Sequence, residues 1–504
     1  MPGSSEHIAI ARNALSSYAA RAVLGVAVLL LTPYLFRALG PGGFGTWSVI
    51  FGLTTVALVL QIGFSQGLTK LIAELRGQGR QADVHETMGA GVALMAAAGL
   101  AILGVAVIVA LALPGLAAEG QEDDFALGML LVGAALTVRM PCMACAAALV
   151  GYQRYDLANI GGVTTTVAFA VLAVAAIETG AGVAGVAGAQ AVALLCGGAV
   201  YAVTLRRLDP HLGVRPRRGQ RAARSRILRF SSFTLLADSM VLVGQRLDVV
   251  VIAGVVSAAA AGPYAAIVKL QSGLQSLTRP FIDLLMPMVA DLTGRGRRTA
   301  VLRRLTVTTR LALQISIPVA AALIIFAADV VDVWLGDGAP DATSGIVVVL
   351  MVANILGLVA VPATEALIGL GRVRLIGALA VGEGVLNVGL SILLVATYGA
   401  IGAAIGTLAS IALLGPLRVP IAVRAAGGTA AGLLREGVWL PMASSVPSVA
   451  AMVIAHQVLS PGWERIAVGS ACGIGAALLV GAVQVGPGRM RAALRIVRPR
   501  AATG

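Results

Sequence analysis

The sequence predicts an all-α integral membrane protein of 14 transmembrane helices: two parallel six-helix repeats around a central cavity, plus two C-terminal helices. Three observations predict it. Of 504 residues, 58% are hydrophobic and only 12% charged, against about 25% charged in an average soluble domain. Apolar runs of about 20 residues, long enough at 1.5 Å rise per residue to cross a bilayer, recur along the whole chain. The basic residues fall on alternate connections, as membrane topology requires.

In order, the runs are 15–36, 46–68, 87–113, 125–150, 158–178, 181–204, 231–255, 261–289, 305–328, 344–370, 375–396, 399–421, 437–458 and 465–486. The first is read as a membrane helix and not as a cleaved signal peptide, because no small-residue cleavage site precedes the second run. With the N-terminus placed in the cytoplasm and each span reversing direction, thirty of the 37 lysines and arginines become cytoplasmic. They include Arg12, Lys70, Arg76, Arg80, Arg154, the cluster Arg206 to Arg229, Arg295 to Arg310, Arg372, Arg374, Arg418, Arg424, Arg435 and Arg489 to Arg500. Only Arg37 and Arg465 fall on the far side, where the loops are acidic: Glu119, Glu122, Asp123 and Asp124, then Asp329, Asp332, Asp337 and Asp341. An error in the number of spans would scramble this pattern. The net charge of +14 therefore reports topology, and no nucleic-acid partner is expected.

Weak internal similarity recurs at an offset of about 217 residues. "ALVGYQRYDLANI" (148–160) aligns with "ALIGLGRVRLIGA" (366–378), placing Gly151 on Gly369 and Arg154 on Arg372. Gly45 and Trp47 fall on Gly262 and Tyr264, and "GVAGVAG" (182–188) resembles "GAIGAAIG" (399–406). The organisation that follows is an N-terminal six-helix repeat (1–204), a basic cytoplasmic linker (205–230), a C-terminal six-helix repeat (231–425), two additional transmembrane helices (426–486) and a basic cytoplasmic tail (487–504). Six spans per copy give both copies the same orientation, related by an axis along the membrane normal, and such repeats enclose a central site. The arginine-rich linker anchors topology and attracts anionic headgroups of membrane lipids.

Two motifs are set aside on context. "RALGPGGFGTW" (37–47) contains G-x-G-x-x-G, but a dinucleotide site needs a preceding strand and an acidic residue about 20 positions on. Here long apolar runs flank the glycines, and positions 57–67 read "ALVLQIGFSQG". "PCMAC" (141–145) has C-x-x-C spacing without a second pair or a nearby His, so small-residue helix packing is the expectation and no metal site is predicted. No cofactor is expected.

Several stretches resemble the multidrug/oligosaccharidyl-lipid/polysaccharide (MOP) exporter superfamily, and within it the polysaccharide (Wzx-type) flippases, with lipid II flippases as relatives. They are "LGPGGFGTWSVIFGL" (39–53), "QIGFSQGLTKLIAEL" (61–75), "AAGPYAAIVKL" (260–270), "MPMVADL" (286–292), "ALIGLGRVRLIGA" (366–378) and "YGAIGAAIGT" (398–407). The resemblance covers about residues 1–425. The family usually has an acidic residue where "QIGFS" has Gln61, and no role is carried over there. The resemblance implies that spans one, two, seven and eight surround a cavity. It also makes Gly40 to Gly45 a far-side turn, where glycine permits a positive-φ reversal.

Five basic residues remain inside spans: Arg21, Arg139, Arg246, Lys269 and Arg279. Each costs roughly 3 kcal/mol at a helix centre, so function is the first hypothesis. On span eight, Lys269, Ser272, Ser276, Arg279 and Asp283 fall within an arc of about 80°, with the two cations about 15 Å apart along the axis. Asp283 sits one turn after Arg279, so a local ion pair is the competing reading for that arginine. On span one, Asn13, Ser17, Arg21, Gly25 and Thr32 share a face; on span seven, Asp238, Gln245, Arg246 and Asp248 spread more widely. The competing structural reading pairs the cations with Asp238, Asp248 and Asp283. Glu383, Asn387 and Ser391 form a ridge at i, i+4, i+8, and Glu383, Asp283 and Glu365 are the candidates for a coupling ion, H⁺ or Na⁺.

A cationic cavity suits an anionic headgroup, since arginine offers forked donors to phosphate oxygens and lysine a point charge. The expected function is a flippase that moves a lipid-linked (polyprenyl-diphosphate) oligosaccharide across the cytoplasmic membrane by alternating access, for cell-surface polysaccharide biosynthesis, with other polysaccharide-assembly proteins as partners. Both termini are expected in the cytoplasm. No enzyme is expected: the far-side loops are only about a dozen residues long, none holds one of the four His, and no Walker A sequence is present. A cation-coupled multidrug antiporter is the alternative, expected to present acidic and aromatic residues in its cavity, whereas aromatics make up 4% of this chain. A non-transporting scaffold of cell-envelope biosynthesis is the second alternative.

Overall fold

Backbone amides buried in lipid must find partners within the protein, and a helix does this by bonding each N–H to a carbonyl of its own segment. The computed structural model is built in this way, from helices with no strand among the residues it describes: 4–212, 222–228, 247–336 and 338–485, without the side chains of 4–22, 56, 58, 59 and 481–485. Asp238, Arg246, Asp337, most of the basic linker and the tail 487–504 lie outside the described residues, as does the Arg21 side chain.

The helices are α1 (Ser4–Gly77), α2 (Gln81–Ala112), α3 (Glu122–Gly151), α4 (Tyr155–Glu178), α5 (Gly182–Leu208), α6 (Ala258–Asp283), α7 (Leu285–Gly294), α8 (Arg298–Ile325), α9 (Ala327–Trp334), α10 (Thr343–Gly369), α11 (Val373–Tyr398), α12 (Ala400–Leu414), α13 (Arg418–Ala425), α14 (Ala430–Leu433), α15 (Leu440–Val458) and α16 (Trp463–Val485). A π-helical turn, Leu434–Trp439, joins α14 to α15. Eleven stretches among the described residues are long and apolar enough to cross a membrane. One of them, Val23–Gly77, takes in the second expected span and most of the first. The expected span 261–289 is α6, which carries the polar stripe, and the start of α7; neither is among the eleven. Of 231–255, only 247–255 is described.

The turn between spans one and two is narrower than the sequence implies. Of its glycines only Gly40 (φ 69°) takes a left-handed conformation; α1 is otherwise helical through the elbow, and Pro41 opens its second arm. Gly45 is needed for a different reason. A methyl built on it would fall inside the Ala258 carbonyl oxygen, and one built on Gly262 would fall inside the Pro41 carbonyl oxygen. The elbow of α1 and the first turns of α6 thus meet backbone to backbone.

The chain forms two compact units. The first comprises Met1–Gly273 and Gly377–Ser410, the second Leu274–Ile376 and Ile411–Gly504. In the first, Phe36, Phe44, Phe125 and Tyr264 are each at most 1% exposed. The ends of α1, α3 and α5 are tied by Arg76, whose guanidinium lies 4.0 Å from the Tyr152 ring centroid, and by the Tyr152 hydroxyl, which donates to Asp209 Oδ2 at 2.8 Å. Burial and then the Asp209 carboxylate push the Tyr152 phenol above its ordinary value. In the second unit, Leu285, Val289, Val301, Leu305, Leu367 and Val423 form the core. There the loop between α15 and α16 is fixed to α9. Arg465 Nη1 lies 3.2 Å from Asp329 Oδ2, the Gly462 N–H donates to Asp329 Oδ1 at 3.0 Å, and Arg465 Nε donates to the Leu459 carbonyl.

Three stability measurements test this packing. Gly45→Ala is expected to lose about 1–3 kcal/mol, because the Ala258 backbone cannot yield as a side chain would. Gly52→Ala, at a helical site with open space, is expected to gain about 0.5–1 kcal/mol. Arg465→Leu leaves the buried Asp329 carboxylate without its cation and is expected to cost about 3–5 kcal/mol. Thermal midpoints of the purified proteins in detergent check all three.

Candidate functional site

The site is built around α6. Ser257 caps the helix by accepting a hydrogen bond from the Ala260 N–H at 3.1 Å. Asp248 lies in the helical stretch 247–255 before the cap, and Tyr264 in the second turn after it. Positions 262 and 269 are seven residues apart and share a face; Tyr264 points roughly 140° away from Lys269. The two faces meet different partners.

On one face, Tyr264 donates its hydroxyl to Asp248 Oδ2 at 2.7 Å. Ser391 of α11 donates to Asp248 Oδ1 at 2.8 Å, and Thr407 of α12 donates to Oδ2 at 3.0 Å. Asn387, one turn before Ser391, donates through Nδ2 to Thr407 Oγ1 at 3.0 Å, while its buried Oδ1 has no partner among the described residues. Asp248 is 3% exposed, Asn387 5% and Ser391 0%. Glycine permits this too: at Gly406 an added methyl would stand 3.0 Å from both Ser391 N and Ser391 Oγ, so α12 can come this close to α11 only without a side chain there. The result is one carboxylate that accepts from three hydroxyls, with the Asn387 amide bonded to one of them. That set suits a singly charged hard cation, since hard cations take oxygen ligands and one positive charge would neutralise the carboxylate. Among the described residues no three His, Cys, Asp or Glu side chains come together as a metal cluster.

On the other face, the Lys269 ammonium stands in an aromatic cage on α1. It lies 3.7 Å from the ring centroid of Trp47, 4.8 Å from Phe44 and 5.4 Å from Phe51. Cation–π attraction of this kind is worth about 0.5–2 kcal/mol per cation, more where water is excluded. Phe36 meets Phe44 edge-on at 5.5 Å, and Phe169 of α4 stacks on Trp47 at 5.8 Å, holding the cage rigid. The chain has only ten Phe and four Trp, yet four of these Phe and one Trp gather here. Low aromatic content therefore gives no argument against an aromatic site.

The other expected residues are dispersed. Arg139 of α3 donates through Nη1 to Thr165 Oγ1 of α4 at 3.2 Å. In the second unit, Arg279 and Asp283 form the i, i+4 ion pair at 3.6 Å, both partly exposed. Glu365 on α10 and Glu383 on α11 are half-buried, and neither lies free. Arg21 is in the helical backbone of α1 with its side chain outside the described residues, and Arg246 is wholly outside them. The carboxylate at the centre of the oxygen ring, Asp248, was not among the ion candidates. The ridge Asn387–Ser391 was the signal for it, because a polar ridge on an apolar helix has to face a polar group. An open apolar groove of about 810 Å³ runs along α4, lined by Val23, Ile160, Val163, Val167, Val171 and Leu172 among others.

A family model described as polysaccharide biosynthesis protein matches residues 10–293. No curated protein matches the chain in sequence. Among solved structures, the lipid II flippase MurJ in an inward closed conformation is 11% identical over 94% of this chain and 98% of its own, with a TM-score of 0.73. An inward-facing multidrug resistance MATE family transporter of the MOP superfamily is 15% identical over 79% and 94%, with a TM-score of 0.68. A MOP superfamily transporter from Pyrococcus furiosus Vc1 (DSM3638), described by the reverse polarity of its binding pocket, is 15% identical over 81% and 95%, with a TM-score of 0.54. At these identities the likeness is one of fold. It agrees with the resemblance carried by the sequence stretches above, and the chain is a multi-pass helical membrane protein.

The carboxylate ring predicts a coupling energy. Ser391→Ala is expected to cost about 1.5–3 kcal/mol, the worth of a buried hydrogen bond to a charged group. In an Asp248→Asn background the same change is expected to cost about 1 kcal/mol, the value for a neutral pair. A double-mutant cycle on denaturation free energies checks the difference.

Proposed function

The chain belongs to the polysaccharide biosynthesis protein family, and from that premise we propose that it is a flippase for a lipid-linked, polyprenyl-diphosphate oligosaccharide. The proposed setting is the cytoplasmic membrane, with both termini inside, the cargo moved by alternating access for cell-surface polysaccharide assembly. The two six-helix repeats read from the sequence supply the frame of this proposal. The observation that carries it is Lys269, a cation held within a predicted membrane span, where a charge is expensive, with its ammonium against aromatic faces. A diphosphate offers that ammonium a stronger, charge-assisted partner than an aromatic ring does. Arg21, Arg139, Arg246 and Arg279 are the proposed further cavity cations. The polyprenyl tail stays in lipid throughout.

We assign the coupling ion to the oxygen ring at Asp248, with Ser391, Thr407 and Asn387 completing it, and we take the ion to be sodium. The unpartnered Asn387 Oδ1 supports this choice: a proton on Asp248 would leave it unsatisfied, whereas a sodium ion takes it as a ligand. Glu383, Asp283 and Glu365 remain candidates for a second coupling position.

One observation favours the multidrug antiporter reading. A buried carboxylate and an aromatic cage are what an organic cation binds, and the MATE fold is similar. The cage, however, is filled by the protein's own ammonium, so an organic cation would meet like charge.

A proteoliposome assay decides between the two. It uses a fluorescent polyprenyl-diphosphate oligosaccharide and follows leaflet accessibility with and without a sodium gradient. Protein-dependent flipping is expected, falling roughly tenfold or more in Lys269→Ala, as the loss of one charge-assisted contact implies, and losing its gradient dependence in Asp248→Asn. Gradient-driven movement of a lipophilic cation, with no flipping, would make the chain a drug antiporter.

A further inference from the structure

The two faces of α6 have no shared ligand, yet one rigid helix carries both. Gly262 is locked against the Pro41 carbonyl of the elbow, Lys269 lies in the elbow's aromatic cage, and Tyr264 is bonded to Asp248. Gly262 and Tyr264 are separated by about 3 Å of helix rise, Tyr264 and Lys269 by about 7.5 Å. Tyr264 is 1% exposed, with its hydroxyl on the carboxylate. No slack separates the carboxylate from the cage.

We propose that Tyr264 is a positioning residue: its bond to Asp248 holds α6 against the α1 elbow, and a cation on Asp248 weakens that bond and frees Lys269 from its cage. The inference rests on the sodium site proposed above. A cation bound at Asp248 occupies carboxylate lone pairs that now accept from Tyr264, Ser391 and Thr407. The two hydroxyls on α11 and α12 can remain as oxygen ligands of the ion. Tyr264 alone approaches from α6, so its displacement is the one that reaches the elbow. The backbone contact at Gly262 then loosens on the same face as Lys269, and the ammonium becomes available to an anion. No other charged group on the described residues contacts Asp248; its neighbours there are the Tyr264, Ser391 and Thr407 hydroxyls.

Trp47 reports the event directly, because the Lys269 ammonium sits over its indole. The test uses the full chain in nanodiscs with Trp334, Trp439 and Trp463 replaced by Phe, leaving Trp47 as its only tryptophan. Sodium replaces choline at constant ionic strength and fixed pH, and both Trp47 emission and the thermal midpoint are followed. A saturable change in emission is expected, lost in Asp248→Asn and in Lys269→Gln. In Tyr264→Phe, saturating sodium is expected still to raise the thermal midpoint, while the Trp47 change is lost. Two results overturn the inference and leave the sodium site standing: sodium raises the midpoint of the parent protein without altering Trp47, or Tyr264→Phe keeps the full Trp47 response. If sodium alters neither signal in the parent protein, the sodium site itself is wrong and the inference falls with it.

Discussion

Two helix backbones meet at Gly45 and Gly262 with nothing but hydrogen between them, and the first unit is organised by that approach. Each glycine faces a carbonyl of the other segment, Ala258 in one case and Pro41 in the other. Because the backbones touch, Phe44, Trp47 and Phe51 on one helix come within cation–π distance of Lys269 on the other. Because α6 is fixed on that face, its opposite face delivers Tyr264 to Asp248, and α11 and α12 close the ring. The sequence similarity that sets Gly45 on Gly262 finds these two positions in direct contact.

Small residues matter in such a chain because lipid tails are as apolar as leucine. Helices inside a membrane gain little from burying apolar area, so close packing and internal polar contacts hold them together. Close approach of α11 and α12 at Gly406 shows the same device beside Asp248. The buried polar groups then follow a simple rule: a charge is kept where a specific partner answers it. Asp329 has Arg465, and Lys269 has three rings.

The helices themselves were legible, since apolar runs near 20 residues and one-sided basic loops leave few alternatives to spanning helices. The Arg279–Asp283 pair was legible for the same kind of reason: i, i+4 spacing is a local property. Contacts made across the chain were not. Asp248 meets residues 143 and 159 positions away, and no periodicity within span seven encodes that. The elbow was misread through a true fact about glycine applied at the wrong place. Positive φ is needed at Gly40, while at Gly45 what matters is the absence of a Cβ. Aromatic content misled in another way, because an average over the chain says nothing about where ten phenylalanines gather.

The cage around Lys269 also sets a reference state. For any anion that engages this ammonium, affinity is measured against rings already in place, so the interaction gained is the difference between two bound states. A ring contact of about 0.5–2 kcal/mol lowers the apparent affinity by roughly 2- to 30-fold. Under the flippase function proposed above, the protein has to let go of its cargo, and a binding group with its own place to return to shortens the time for which the cargo is held. The cage gives the unliganded protein a defined ground state, with the Lys269 charge at rest.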